Sequence, residues 1–173
     1  MNFNTALNVL SVLLSTSIGA QATGQDLVES SFYGRKLRNG MDSNLCLTYN
    51  FNNGGLTVKT CQDAPGFPEA QQGWDFFDGR LHPESDVCLK SKSNEYVGNY
   101  DSLVMVKGGS SCSNFQTTSN GKIYTTYSDG ARMYVGVSGS CNLADIEDRE
   151  VELQRFNFRT YHSCGKAQQW YLD

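Results

Sequence analysis

The segment Gln71-Gln72-Gly73-Trp74-Asp75-Phe76-Phe77-Asp78-Gly79-Arg80-Leu81, with Val87-Cys88-Leu89 shortly after it, reads as strand, two-residue turn, strand, short loop and strand. An aromatic alternation runs into Asp-Gly, the strongest short hairpin signal, and an apolar Cys-Leu run follows. The pattern recurs. A glycine and basic residues at Tyr33-Gly34-Arg35-Lys36-Leu37 lead to Leu45-Cys46-Leu47, and Asn120-Gly121-Lys122-Ile123-Tyr124 leads to Met133-Tyr134-Val135. Gly34, Gly79 and Gly121 stand roughly 42 to 45 residues apart, a period that signals stacked supersecondary units. The ends of the units repeat as well. Gln72 and Trp74 form a Gln-x-Trp, Gln168 and Trp170 form another, and Phe115 takes the corresponding place in the middle unit without its glutamine.

Residues 7 to 20 are apolar or small and are followed by Ala20-Gln21-Ala22, an A-x-A cleavage pattern, so residues 1–22 are expected to be a signal peptide and 23–173 the mature domain. The apolar run is too short to span a bilayer, and no later segment is apolar enough for membrane insertion. Residues 1–22 carry no Asp, Glu, Lys or Arg, so the mature chain keeps the net charge of −4. A mildly acidic domain without a basic tract argues against nucleic acid as partner. Abundant Gly, Tyr and Phe, with no helical periodicity, indicate an all-β fold.

The six cysteines form an even set in a chain with an export signal, which implies disulfides and a secreted, extracellular protein. Two per unit gives Cys46–Cys61, Cys88–Cys112 and Cys141–Cys164, each worth about 3 kcal/mol by loop closure. The absence of any C-x-x-C and the presence of two histidines, His82 and His162, argue against a metal site. In the third unit Tyr134 and Phe156 stand where the first has Cys46 and Cys61, and both cysteines are expected in loops. No cofactor is expected, no Asn-x-Ser/Thr sequon occurs in the mature chain, and no feature sets an oligomeric state.

Three units of about 40 residues with Cys-Leu strands, glycine turns and Gln-x-Trp endings resemble the ricin B-chain type lectin family. The resemblance implies a β-trefoil: twelve strands, six in a short barrel and six in hairpins that cap it, with the strand at Gln169-Trp170-Tyr171-Leu172 pairing near the first. It also implies that Trp74, Phe115 and Trp170 are core residues, with the glutamines beside them bonding turn backbone. In that family a carboxylate two residues after the Cys of Cys-Leu binds sugar hydroxyls, and a ring before the second Cys stacks on the sugar. Here the carboxylate positions hold Thr48, Lys90 and Gly136, and Lys59 lies ahead of Cys61. Any pocket would need other groups.

The second unit offers Tyr96, Tyr100 and Asp101, and the first Tyr49, Phe51 and Asn53, as carbohydrate-binding candidates. Against this, the tyrosines could pack on the hairpin and Asp101 could cap a turn. The acidic run Asp145 to Glu150 could hold a cation or a basic partner, although charge runs are usually solvated faces. The expected function is a secreted, lectin-like carbohydrate-binding module with a glycan or glycoprotein as partner and no catalysis. The alternative is a protein-binding or inhibitory trefoil using loops such as Asp63 to Pro68. An enzyme would need a converging acid/base set, and neither His82, expected in a turn region, nor His162, expected in a loop, has a partner at useful spacing.

Overall fold

The computed structural model describes residues 31–50, 54–62, 72–83, 86–93, 100–108, 111–139, 146–155 and 162–173. Its strands are β1 (Phe32–Arg35), β2 (Leu37–Asn39), β3 (Leu45–Tyr49), β4 (Leu56–Thr60), β5 (Trp74–Phe77), β6 (Arg80–His82) and β7 (Val87–Ser91), followed by β8 (Tyr100–Lys107), β9 (Phe115–Thr117), β10 (Ile123–Thr126), β11 (Arg132–Val137) and β12 (Val151–Arg155). A short helix, α1 (His162–Ala167), precedes the last strand, β13 (Trp170–Leu172). The fold is an all-β trefoil. Its strands fall into three units, β1 to β5, β6 to β9 and β10 to β13. Thirteen strands appear where twelve were expected, because the first strand of the first unit is interrupted at Lys36. Its front half pairs with β5 and its rear half with β13 and β3.

The aromatic alternation at Trp74 behaves as its period demands. Trp74 and Phe76 are buried while Asp75 and Phe77 lie on the outer face of β5. Asp78 and Gly79 both take positive φ, 50° and 69°, and Phe77 pairs with Arg80, which makes a tight two-residue hairpin turn. Each unit also contributes a longer hairpin: β3 with β4, β7 with β8, and β11 with β12.

The barrel closes through the first and last strands of the units. β1, β5 and β6 form one sheet, β9 and β10 pair, and β13 pairs with β2 through Trp170 opposite Asn39 and Leu172 opposite Leu37. Two gaps remain, and equivalent hydrogen bonds bridge them: Phe115 N–H to the Gly79 carbonyl (2.5 Å) and Trp170 N–H to the Gly121 carbonyl (2.7 Å). The unit-ending aromatics Trp74, Phe115 and Trp170 are fully buried, with Leu47, Leu89, Val135 and Leu153 among the core around them. Their indoles are anchored alike. Trp74 Nε1 donates to the Leu47 carbonyl and Trp170 Nε1 to the Val135 carbonyl, both at 3.0 Å.

Gln72 bonds backbone as expected, accepting from Gln62 N–H (2.9 Å) and donating to the Thr60 carbonyl (3.0 Å). Gln168 differs, since it donates to the side chain of Gln154 (3.3 Å). Disulfides Cys46–Cys61 and Cys88–Cys112 are formed, closing loops of 15 and 24 residues. The pairing of Cys141 with Cys164 and the expected signal segment lie outside the described residues. Two expectations need correction. His162 to Cys164, read as loop, lie in α1 (His162–Ala167), a turn and a half too short to show a period; His82, read as a turn residue, ends β6 and is buried.

The repeating glycines take φ values of +61° at Gly34, +69° at Gly79 and +77° at Gly121. Their surroundings differ. A Cβ at Gly34 would meet nothing within 4 Å, whereas at Gly121 it would stand 2.6 Å from the Trp170 carbonyl oxygen. Gly34→Ala should therefore cost about 1 kcal/mol, the penalty of a left-handed backbone alone. Gly121→Ala should cost about 3 kcal/mol or more, because it also forces β10 from β13. Urea unfolding of the oxidised proteins measures both, and equal losses would show that the barrel seam is not a close contact.

Candidate functional site

Strand alternation separates the two candidates that sit side by side on β8. Tyr100 is 61% exposed, while the carboxylate of its neighbour Asp101 turns to the other face. There Asp101 Oδ2 accepts from Ser91 Oγ (2.5 Å) and Tyr127 Oη (2.5 Å), with Ser93 N–H at 3.4 Å. Ser91 and Tyr127 are buried, and Tyr127 belongs to the β10–β11 connection, so this carboxylate ties the second unit to the third. Burial pushes the Asp101 carboxyl up, but the hydrogen bonds from Ser91, Tyr127 and Ser93 together outweigh it and hold the group below the usual carboxylate range. Tyr127 is pushed strongly up by burial and by its bond to the same carboxylate. Asp101 is a brace between units.

The Tyr100 face is different. Tyr100 stands opposite Gln154 and Ser102 opposite Glu152 on β12, so these four side chains share one surface of the β8–β12 pair. One step along the strands, that surface opens on a cleft of about 170 Å³ lined by residues of all three units: Leu56 and Thr57, Ser102 and Leu103, Glu150 and Glu152. Leu56 opens β4 and Val151 opens β12, while Leu103 is the fourth residue of β8, so the cleft lies where the three longer hairpins converge. Its polar groups are unevenly shared, with both carboxylates from the third unit. Burial raises the Glu152 carboxyl above its ordinary value and Glu150 adds to the rise, against a hydrogen bond from Gln154 Nε2 to Glu152 Oε1 (3.2 Å).

The positions where the lectin resemblance would put a carboxylate are all otherwise occupied. Thr48 is buried, donating to the Cys46 carbonyl (3.1 Å) and accepting from Gln72 Nε2 (3.0 Å). Lys90 lies within the β7–β8 ladder opposite Val104. At Gly136 a Cβ would come within 2.7 Å of Gln154 Oε1 and 2.9 Å of Gln168 Cγ, so a larger side chain has no room. Tyr49 is a core residue. Tyr96 and Asn53 lie outside the described residues, as do Phe51, the segment Asp63 to Pro68 and the start of the acidic run.

The rest of that run is stapled to β4. Glu147 Oε1 accepts from Thr60 N–H (3.1 Å) and Thr60 Oγ1 (2.5 Å), and Asp148 pairs with Lys59 (2.7 Å). No cluster of three or more metal-ligating side chains occurs among the described residues. The residues that sequence reasoning missed are Ser102, Gln154 and Glu152. Gln154 and Glu152 lie some fifty residues from Tyr100, and only the β8–β12 register joins them.

No protein-family model matches the chain, and no curated protein does. Among solved structures the chain is similar to the agglutinin from Abrus precatorius, with a TM-score of 0.56 and 18% identity over 83% of this chain and 47% of that one. It is also similar to a mosquitocidal holotoxin, with a TM-score of 0.55 and 15% identity over 82% of this chain and 16% of that one. Both carry ricin B-type β-trefoil folds. At these identities the likeness is one of fold, and the chain spans less than half the length of either protein.

Two stability predictions follow from the buried polar groups. His82 is held below its ordinary 6.5 chiefly by burial, with its Nδ1 3.1 Å from the Val87 carbonyl and its Nε2 unpartnered among the described residues. Both His82 and Asp101 bind protons more weakly folded than unfolded, so each makes stability fall with falling pH. The His82 loss begins near 6.5 and the Asp101 loss near 3.8, their ordinary values, and each ends at the lowered folded value. Chemical denaturation across pH 3 to 8 should show both declines, and His82→Gln should abolish the upper one while keeping the lower. The second concerns Thr57, whose Oγ1 is buried without a partner among the described residues. Thr57→Val should stabilise the protein by about 1 kcal/mol, since it removes a desolvated hydroxyl; a loss of stability would mean that the hydroxyl is bonded.

Proposed function

We propose that the chain is a secreted glycan-binding module without catalytic activity, with residues 1–22 as signal peptide and 23–173 as the binding domain. The observation that carries this reading is the surface shared by Tyr100, Ser102, Gln154 and Glu152, which opens on the cleft between the three hairpins. A pyranose offers a C–H face to a ring and hydroxyls to carboxylates, amides and hydroxyl groups. Tyr100 supplies the ring; Glu152, Glu150 and Ser102 supply the polar groups, and the cleft supplies partial enclosure. The cleft would take one sugar residue of a larger glycan, with the remainder resting on Tyr100. The trefoil likeness to the Abrus agglutinin agrees with such a module, although the polar groups here come from different positions than the ones the lectin resemblance implies.

The non-catalytic part of the reading rests on how the titratable groups are used. His82 is buried against backbone, and the Ser91 hydroxyl donates to a carboxylate that has no imidazole beside it among the described residues. Neither arrangement activates a nucleophile. Asp101 serves the site indirectly, by fixing the strand that carries Tyr100.

A glycan-array screen of the oxidised mature protein, with Tyr100→Ala and Glu152→Gln beside it, tests the proposal. Tyr100→Ala removes an exposed ring, so its unfolding curve should match the parent while binding weakens about tenfold, the usual worth of one stacked ring. Glu152→Gln should weaken binding as well, and the parent should lose affinity on acidification earlier than an ordinary carboxylate would require. Binding unchanged in both variants would overturn the site. Absence of any glycan binding would overturn the function and turn the search to protein partners.

A further inference from the structure

A second aromatic surface lies on another sheet. Tyr33 of β1 is 64% exposed, and its ring stacks on Phe77 of β5 with centroids 5.9 Å apart and planes 18° apart. Phe77 in turn stacks on His82 of β6 at 4.4 Å and 5°. Three rings thus cross three strands of the β1–β5–β6 sheet. Asp75 stands opposite His82 and Arg80 opposite Phe77, so a carboxylate and a guanidinium share the outer face with the stack. Asp75 is oriented by the Gly34 N–H, which donates to its Oδ1 at 2.6 Å, one residue from Tyr33.

The barrel gives no reason for that exposed ring. Gly34, Gly79 and Gly121 are equivalent positions of the repeat, and the residues before the second and third are Asp78 and Asn120, polar groups suited to a turn. At the same place the first unit carries Tyr33. It closes no strand and is not part of the buried core. Its packing on Phe77 fixes the ring plane in advance, so a ligand that stacks on it loses little side-chain freedom.

We propose that Tyr33 and Asp75 form a second carbohydrate-binding surface, for an uncharged pyranose. The C–H face of the sugar lies on the face of Tyr33 that Phe77 leaves open, and the Asp75 carboxylate accepts from hydroxyl hydrogens through the oxygen that Gly34 leaves unused. A uronic acid would meet the like charge of the Asp75 carboxylate, so a neutral sugar is favoured over it. The surface lies on a different sheet from Tyr100, so where the Tyr100 cleft also binds, the chain would hold arrayed sugars more tightly than isolated ones. The inference goes beyond the Tyr100 cleft and stands or falls separately from it.

Titration of the oxidised, ¹⁵N-labelled protein with methyl β-galactopyranoside, methyl β-glucopyranoside and methyl β-glucuronide tests it. The neutral glycosides should shift the amide signals of Gly34, Phe77, Gly79 and Arg80 in a saturable way, and the glucuronide should do so at least about fivefold more weakly. Tyr33→Ala, at an exposed position, should weaken this binding about tenfold, whereas Tyr33→Phe should keep it within about twofold, because stacking needs the ring and not the hydroxyl. Asp75→Asn, which keeps an acceptor for the Gly34 N–H, should weaken it with the ring in place. Shifts confined to Tyr100, Ser102 and Glu152 would overturn this surface and leave the cleft standing; no saturable shift anywhere would overturn both. Equal response to the glucuronide would overturn the assignment to neutral sugars.

Discussion

The closure of the barrel depends on one repeated contact, a unit-ending aromatic residue brought against a left-handed glycine. Trp170 donates its amide to the Gly121 carbonyl and Phe115 donates to Gly79, while Trp74 sits opposite Arg35, next to Gly34. The same aromatic residues fill the core, and the two indoles bond back to the strand that begins each hairpin. A single residue per unit therefore sets strand closure, core volume and hairpin position together. The contact also explains the interrupted first strand. It must close on β5 with its front half and on β13 and β3 with its rear half, and the break at Lys36 lets it do both.

Within that frame the three units hold their hairpins by different means. The first and second use disulfides that start from Cys46 and Cys88 in the Cys-Leu strands, each worth about 3 kcal/mol by the loop-closure argument. In the third unit Tyr134 takes the equivalent place. It stands opposite Tyr124 with ring centroids 5.5 Å apart, and the pair is flanked by Lys122 over Tyr134 at 5.3 Å and Arg132 over Tyr124 at 5.0 Å. Each such cation–ring contact is worth about 0.5 to 1 kcal/mol. The third unit is also the one that brings Glu150 and Glu152 to the central cleft.

The sequence carried the features whose physics is local or periodic. Asp78-Gly79 specified its turn because few residues accept positive φ twice in succession. Trp74 and Trp170 announced their units because a large ring recurs at fixed distance from a glycine, and Cys46 and Cys88 found their partners because the repeat left few choices. Helix α1 escaped because six residues hold less than two turns of periodic signal. The role of Asp101 escaped for a different reason. Its partners Ser91 and Tyr127 are 10 and 26 residues away, and no pattern in the chain marks a buried hydroxyl as the partner of a distant carboxylate.

The candidate site shows the same limit from the other side. Tyr100 and Asp101 are neighbours in the chain and look like one cluster of sugar-binding groups, yet a strand points successive side chains to opposite faces. Proximity in sequence thus joined two groups that face opposite sides of β8. Exposure of Tyr100 and burial of the Asp101 partners are two consequences of one strand direction: the face that locks β8 to the third unit gives up its carboxylate to structure, and the opposite face stays open to solvent. What Tyr100 gains comes from β12, through a register that sets Gln154 and Glu152 beside it. The brace beneath and the cleft above are therefore coupled, because the Asp101 bonds to Ser91 and Tyr127 hold β8 at the depth and angle from which Ser102 and Glu152 can share a surface.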